Sequence, residues 1–422
     1  STGANNVAVG RIALYNNTTA DNNTAVGYAA LTANTTGTEN VALGTEALKA
    51  NTTAIHNTAI GYRALYTHVT GNDNTAVGQE ALYTNNGGTG NTAIGRRALQ
   101  LNTTAISNTA VGEYALSANT TGDYNVALGA NALDANTTAS NNTAVGKDSL
   151  GANTTGGSNV AVGMEALKAN TTGGNNTSVG ESSMEANTTG GNNVALGRGT
   201  LTANTTGSYN TALGKAALDA NTTASNNTAV GYDALGANTT GTPNTAVGKS
   251  ALESNTTGTN NVAVGDNALN ANSTAYSNTA VGSAALQGNT VGFQNIGVGY
   301  ASLATNSTGD ANTAVGVYAL RYATTADYNT AVGWSALAAT TDGHSNTALG
   351  VNASASNTTG DYNTSSGYGA LYSATTADSN SAFGRRALYS NTTASYNTAV
   401  GAESLDANTT GASNVAIGKS AL

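Results

Sequence analysis

Cysteine is absent from this chain, which excludes a disulfide framework and any thiolate metal site. The compartment stays open on that evidence, since a secreted fibre can do without disulfides. Large side chains are scarce: 422 residues include two Phe, one Trp and two Met. A wide core cannot be filled from such a set, so any core must be narrow and repeated along an axis. Charge is thin too, at a formal −9, which argues against nucleic acid as a partner. No apolar run approaches the ~18 residues that a membrane-spanning helix needs. The three histidines, His56, His68 and His344, share no regular spacing and have no paired carboxylates, so an enzyme is not expected. The glycine-rich stretch Asn86 to Gly90 lacks the Gly-Lys-Ser/Thr ending of a phosphate loop. Asp21, Asp123, Asp310, Asp327, Asp361 and Asp378 recur in one register without the glycine pattern of calcium-binding β-rolls. Neither a metal nor a cofactor is expected.

What is present is a repeat. The stretch Asn23 to Gly27, Asn-Thr-Ala-Val-Gly, recurs in 25 variants from Asn6 to Gly418, each starting 17 residues after the last. No insertion or deletion interrupts the series, and a fixed period of this length marks a stacked repeat architecture. The unit reads Asn-Thr-Ala-Val-Gly-x-x-Ala-Leu-x-Ala-Asn-Thr-Thr-Gly-x-x, numbered 1 to 17 below. Position 1 is always Asn and position 5 always Gly. Position 4 is aliphatic apart from Ser366 and Phe383, and position 9 is Leu apart from Met184 and Ser354. Position 3 is Ala apart from Ser178, Gly297 and Ser365. Charged residues keep to positions 6, 7, 10, 16 and 17 with Asp342 as the exception, and Tyr does the same apart from Tyr322. Unpaired charge is almost never buried, so those five positions face water.

Thr-Ala-Val at positions 2 to 4 reads as a short strand, Gly at 5 as a turn, and Asn-Thr-Thr-Gly at 12 to 15 as a second turn. Gly, Asn and Thr interrupt any apolar stripe that a helix would need. The expected fold is all-β, a parallel β-solenoid (β-roll) of about 25 coils, with identical positions stacked ~4.8 Å apart in a rod on the order of 120 Å long. Stacked Asn side chains at position 1 (Asn23, Asn40, Asn57, Asn74, Asn91) are expected to form a hydrogen-bonded ladder. Positions 4 and 9, such as Val77 and Leu82, are expected to point into the coil. Position 3 then points outward, yet it excludes charge and bulk. On that reasoning Ala76, Ala93 and Ala110 form an oligomer face covered by another chain. One Val and one Leu per coil is also a small apolar return on ordering 17 residues, which again favours an oligomer.

The block Asn74 to Ala81, Asn-Thr-Ala-Val-Gly-x-x-Ala, resembles the head repeats of trimeric autotransporter adhesins. The Asn-Thr-Thr-Gly-rich unit looks still more like the repeat arrays of phage tail fibres and related bacterial surface proteins. The resemblance spans the whole chain and implies a parallel β-roll, three chains about one axis, and a cell-surface or virion location. The unit departs from the adhesin pattern in its greater length and its added Asn-Thr-Thr-Gly turn. No coiled-coil stalk and no membrane anchor accompany it.

Position 12 supplies Asn-x-Thr sequons, which are N-glycosylation acceptors in a suitable export pathway. The candidates are Asn34, Asn51, Asn102, Asn119, Asn136, Asn153, Asn170, Asn187, Asn204, Asn221, Asn238 and Asn255. The competing reading of each is an internal amide ladder. The chain begins and ends in mid-repeat, which suits a segment of a longer fibre. The function expected is structural: an extracellular, cell-surface or virion-surface rod, serving as a tail-fibre, adhesin or filament shaft and open to a glycan coat. Its partner is itself, as a homo-oligomer, with cell-surface glycans as a second partner for the exposed Tyr. Ice binding is the alternative, motivated by stacked Thr and low charge.

Overall fold

The computed structural model describes residues 2–422. Each repeat contributes one parallel strand of three or four residues, 25 in all, and no helix occurs among the described residues. Strands pair at a constant offset of 17, so that Thr58, Ala59 and Ile60 lie opposite Thr75, Ala76 and Val77. The fold is therefore a parallel β-solenoid with one coil per repeat. Two compact units are distinguishable, Ser1–Asn210 and Thr211–Leu422. The first carries the strands from Val7–Val9 to Val194–Leu196, the second those from Thr211–Leu213 to Val415–Ile417.

Backbone hydrogen bonds run mostly between coils rather than within them. In one coil, Thr75 N–H donates to the Asn91 carbonyl (2.8 Å), Leu82 to Ala98 (3.0 Å) and Asn86 to Thr103 (3.0 Å). Gly78 and Glu80 donate the other way, to Ile60 and Tyr62. Between these come tight turns, such as Ala81 N–H to the Gly78 carbonyl. The invariant glycine at position 5 follows from its backbone, with φ between +122° and +142° in every copy. Side chains are essentially barred from that region. A methyl group built on Gly78 would also lie 2.5 Å from the Gly95 carbonyl oxygen of the next coil. Positions 7, 9 and 17 are left-handed as well, commonly without glycine, as at Arg63 (φ +55°), Leu65 (+50°) and Asp73 (+60°). For a leucine that conformation costs about 1–2 kcal/mol, offset by about 2–3 kcal/mol from burying its side chain completely.

Six positions per coil form the interior: Asn at 1, Ala at 3, a small residue at 8, Leu at 9, Asn at 12, and Gly or Ala at 15. Leucine at position 9 is inside as expected, Leu82 being fully buried. The strand, however, has the opposite parity to the one expected. Its central alanine points in, and positions 2 and 4 point out, so Val77 is half-exposed rather than buried. Ala76, Ala93 and Ala110 are fully buried within their own chain, which removes them as an oligomer face. The reason is the narrowness of the coil. A methyl group placed on Gly297 would lie 3.3 Å from Leu286 Cγ and 3.0 Å from Ser302 Oγ. Even one methyl group would be tight against the opposite wall of that coil, and nothing larger than Ser178 and Ser365 occurs at position 3. Smallness at position 3 reports the chain's own core.

Candidate functional surface

Asparagine holds the interior together. In the position 1 ladder, Asn74 N–H and Nδ2 both donate to Asn57 Oδ1 at 3.0 and 3.1 Å. Asn40, Asn57 and Asn91 likewise donate their backbone N–H to Asn23, Asn40 and Asn74 Oδ1. A second ladder runs through position 12, where Asn51 Nδ2 donates to Asn34 Oδ1 (2.8 Å). The two ladders meet at the carbonyl of position 15. Gly88 O accepts from Asn74 Nδ2 (2.9 Å) and from Asn85 Nδ2 (3.0 Å), which ties the start of the coil to its last turn.

This second ladder corrects the glycosylation reading. Asn34, Asn51, Asn102, Asn119, Asn136, Asn153, Asn170, Asn187, Asn204, Asn221, Asn238 and Asn255 are all fully buried. The Nδ2 of each, the atom that a glycan would occupy, donates to a position 15 carbonyl inside the coil. No oligosaccharide fits there in the folded chain. The threonine at position 13 is committed too: Thr35, Thr120 and Thr171 Oγ1 donate to the carbonyls of Thr52, Thr137 and Thr188 one coil on.

The recurrent acid at position 16 has a backbone role. Asp123, Asp310 and Asp361 accept the N–H groups of Ile106, Phe293 and His344 one coil earlier, at 2.6–2.8 Å. Among the described residues no three His, Cys, Asp or Glu are grouped to hold a metal ion. Charges on the outer turns pair between coils, as in Arg63 to Glu46 (2.7 Å) and Arg97 to Glu80 (2.8 Å). Hydrogen bonds from Lys49 and Arg63 hold the Glu46 carboxyl below its ordinary value. Burial raises Asp219, with the nearby Asp233 adding to the effect.

His68 replaces Asn in the second ladder and is fully buried. Its Nε2 lies 2.5 Å from the Gly71 carbonyl, and its Nδ1 lies 3.1 Å from Asn85 Nδ2 and from the Asn85 carbonyl. One donor and one acceptor suffice for the neutral ring. Burial pushes its pKa down, against the two carbonyls, which favour the proton.

What remains exposed and unexplained is the outer face of the sheet. Positions 2 and 4 carry no charged residue in any of the 25 strands. Position 2 is Thr, Val, Ile or Ser, and position 4 is mostly Val, Ile or Leu. Their side chains stand in two ranks along each unit, with Leu43 46% exposed, Ile94 41% and Leu128 45%. An uncharged strip of this kind on a water-facing sheet, apolar along position 4 and largely Thr along position 2, is the candidate surface for contact with another molecule. Sequence reasoning missed it by assigning the strand the wrong parity. No family model matches the chain, and no curated protein matches it. The surface must therefore be read from its own chemistry.

Proposed function

We propose that the chain is a structural fibre protein whose copies join through the outer face of the sheet. The observation that supports this reading is the uncharged double rank at positions 2 and 4, sustained through every coil. Most position 4 side chains are already half to two-thirds covered or more, so completing the burial of each contributes about 0.5–1 kcal/mol. Over the twelve coils of the first unit that amounts to about 6–12 kcal/mol, comparable with the ~4–15 kcal/mol of lost freedom on association. A contact of one or two coils is worthless, whereas a contact along the whole face holds. Such a surface needs copies in register, and an inserted residue would spoil that register. The uninterrupted 17-residue period fits the requirement.

Three copies about one axis is the count implied by the resemblance to adhesin heads and tail fibres. With it goes placement as a shaft on a cell or virion surface, outside the cell. The reading assigns the chain no catalytic role. Ice binding is the second reading, favoured by the rank of Thr at position 2. Against it stands position 4, where Ser366, Phe383, Leu and Ile alternate with Val and leave the face uneven. Light scattering on the purified chain tests the proposal: an oligomer is expected, and a monomer at tens of micromolar, or measurable thermal hysteresis, would overturn it.

A further inference from the structure

Tyrosine is common on the outer turns, so an exposed Tyr by itself means little. Two stacked pairs at position 10 can nevertheless be compared coil by coil. Tyr66 stacks on Tyr83 at 5.1 Å and 8°, and Tyr372 on Tyr389 at 5.1 Å and 7°. The first pair is covered. Lys49, in the preceding coil, places Nζ 5.3 Å from the Tyr66 ring, and Arg63 at position 7 of the same coil places its guanidinium at 5.2 Å. The second pair has neither cover: Ala355 stands where Lys49 does, and Gly369 where Arg63 does. A notch of about 140 Å³ opens there, lined by Asn352, Tyr368, Gly369, Tyr372 and Tyr389. On the far side, Arg386 lies 4.3 Å over Tyr389 and pairs with Asp406 (3.3 Å), which steadies the stack.

We propose that this notch binds one residue of a neutral hexopyranoside. Its lining is uncharged, so it suits a neutral sugar. Aromatic rings receive the apolar C–H face of the pyranose, and the Asn352 amide offers both donors and an acceptor to its hydroxyls. Positions 6, 7 and 10 lie off the sheet face, so this site is independent of self-association.

The test is saturation-transfer NMR on the full chain with methyl β-D-glucopyranoside, methyl β-D-galactopyranoside and methyl α-D-mannopyranoside. At least one should receive transfer on its ring C–H protons. Gly369→Arg copies the cover on Tyr66, and its backbone (φ +60°) is one that Arg63 and Arg386 already adopt (φ +55° and +59°). It should cut the signal at least tenfold, and Tyr372→Ala should do the same, with the β-type dichroism unchanged in both. Tyr66→Ala should leave the signal intact. The proposal fails if no pyranoside receives transfer in the parent chain. It fails equally if the signal survives Gly369→Arg in a folded chain, or disappears with Tyr66→Ala.

Discussion

Mending a gap in the second asparagine ladder should stabilise the coil around it. Ala374 occupies position 12, and the Oδ1 of Asn357 one coil earlier is buried without a hydrogen-bond partner. On the other side, Asn391 Nδ2 donates to the Ala394 carbonyl (2.9 Å). Ala374→Asn should reproduce the intact run at Asn170. There, Nδ2 donates to Asn153 Oδ1 (2.8 Å) and the Gly173 carbonyl (2.9 Å), and Asn187 Nδ2 donates to its Oδ1 (2.8 Å). Satisfying a buried acceptor is worth about 1–3 kcal/mol, and ordering the new side chain takes back about 1 kcal/mol. The net centres on about 1 kcal/mol, or roughly 5-fold in the local opening equilibrium.

A repeat array does not melt as one two-state unit, so a single midpoint is the wrong measurement. Hydrogen exchange followed by mass spectrometry, on peptides from residues 357–391, reads the local effect. Exchange there should slow by that factor and stay unchanged in distant coils. The converse change, Asn170→Ala, strands Asn153 Oδ1, leaves Asn187 Nδ2 with the Gly190 carbonyl alone, and should cost about 1–3 kcal/mol. If Ala374→Asn exchanges no more slowly than the parent while Asn170→Ala exchanges faster, the ladder tolerates gaps and the reasoning about Asn357 is wrong. Ala323→Asn gives a second instance, because Asn306 Oδ1 is stranded before Ala323 in the same way.

Strand parity is tested by Ala76→Asp, which buries an unpaired charge and should cost more than about 4 kcal/mol. Val77→Asp should change folding by about 1 kcal/mol or less, while the triple change at Val77, Ile94 and Val111 should yield folded monomers by light scattering. Gly78→Ala should destabilise its coil by about 3 kcal/mol or more, from a forbidden backbone region and a carbonyl in the way; unaltered proteolytic resistance would refute this. His68 should make its coil sensitive to acid. Its folded pKa lies below the ordinary histidine value of about 6.5, so the unfolded chain takes up the proton first and stability falls as pH drops below that value. His68→Asn should abolish this dependence and also supply a donor to Asn51 Oδ1, which is stranded. Equal acid sensitivity of parent and variant in local proteolysis would rule it out.

Much of the fold was legible because the repeat compares the chain with itself. The period sets the offset of 17 that every described strand pairing obeys, the invariant Asn names the ladder, and the confinement of charge names the outer turns. The Asn-x-Thr turns misled because a sequon and an amide ladder need the same residues. Only the burial of Nδ2 separates them, and burial is a property of the coil's cross-section. The uncovered stack at Tyr372 is likewise invisible in one repeat, since it depends on Gly369 and on Ala355 in the coil before.

The parity of the strand was the costlier error, and the sequence did contain the signal against it. Alternation in a strand tells which residues share a face, not which face is inside. Size variation decides that. A residue facing its own stacked copies in a narrow interior cannot change volume freely, because a void or an overlap is felt in the adjoining coils. Position 3 varies only among Ala, Ser and Gly, whereas position 4 runs from Ser366 to Phe383 in adjacent coils. An interior in which even a methyl group on Gly297 would be tight could not absorb that step. Phe383 is 43% exposed, as that argument requires. Hydrophobicity at position 4 with freedom of size describes a face that lies outside the chain's own core, and the uncharged sheet face is that surface.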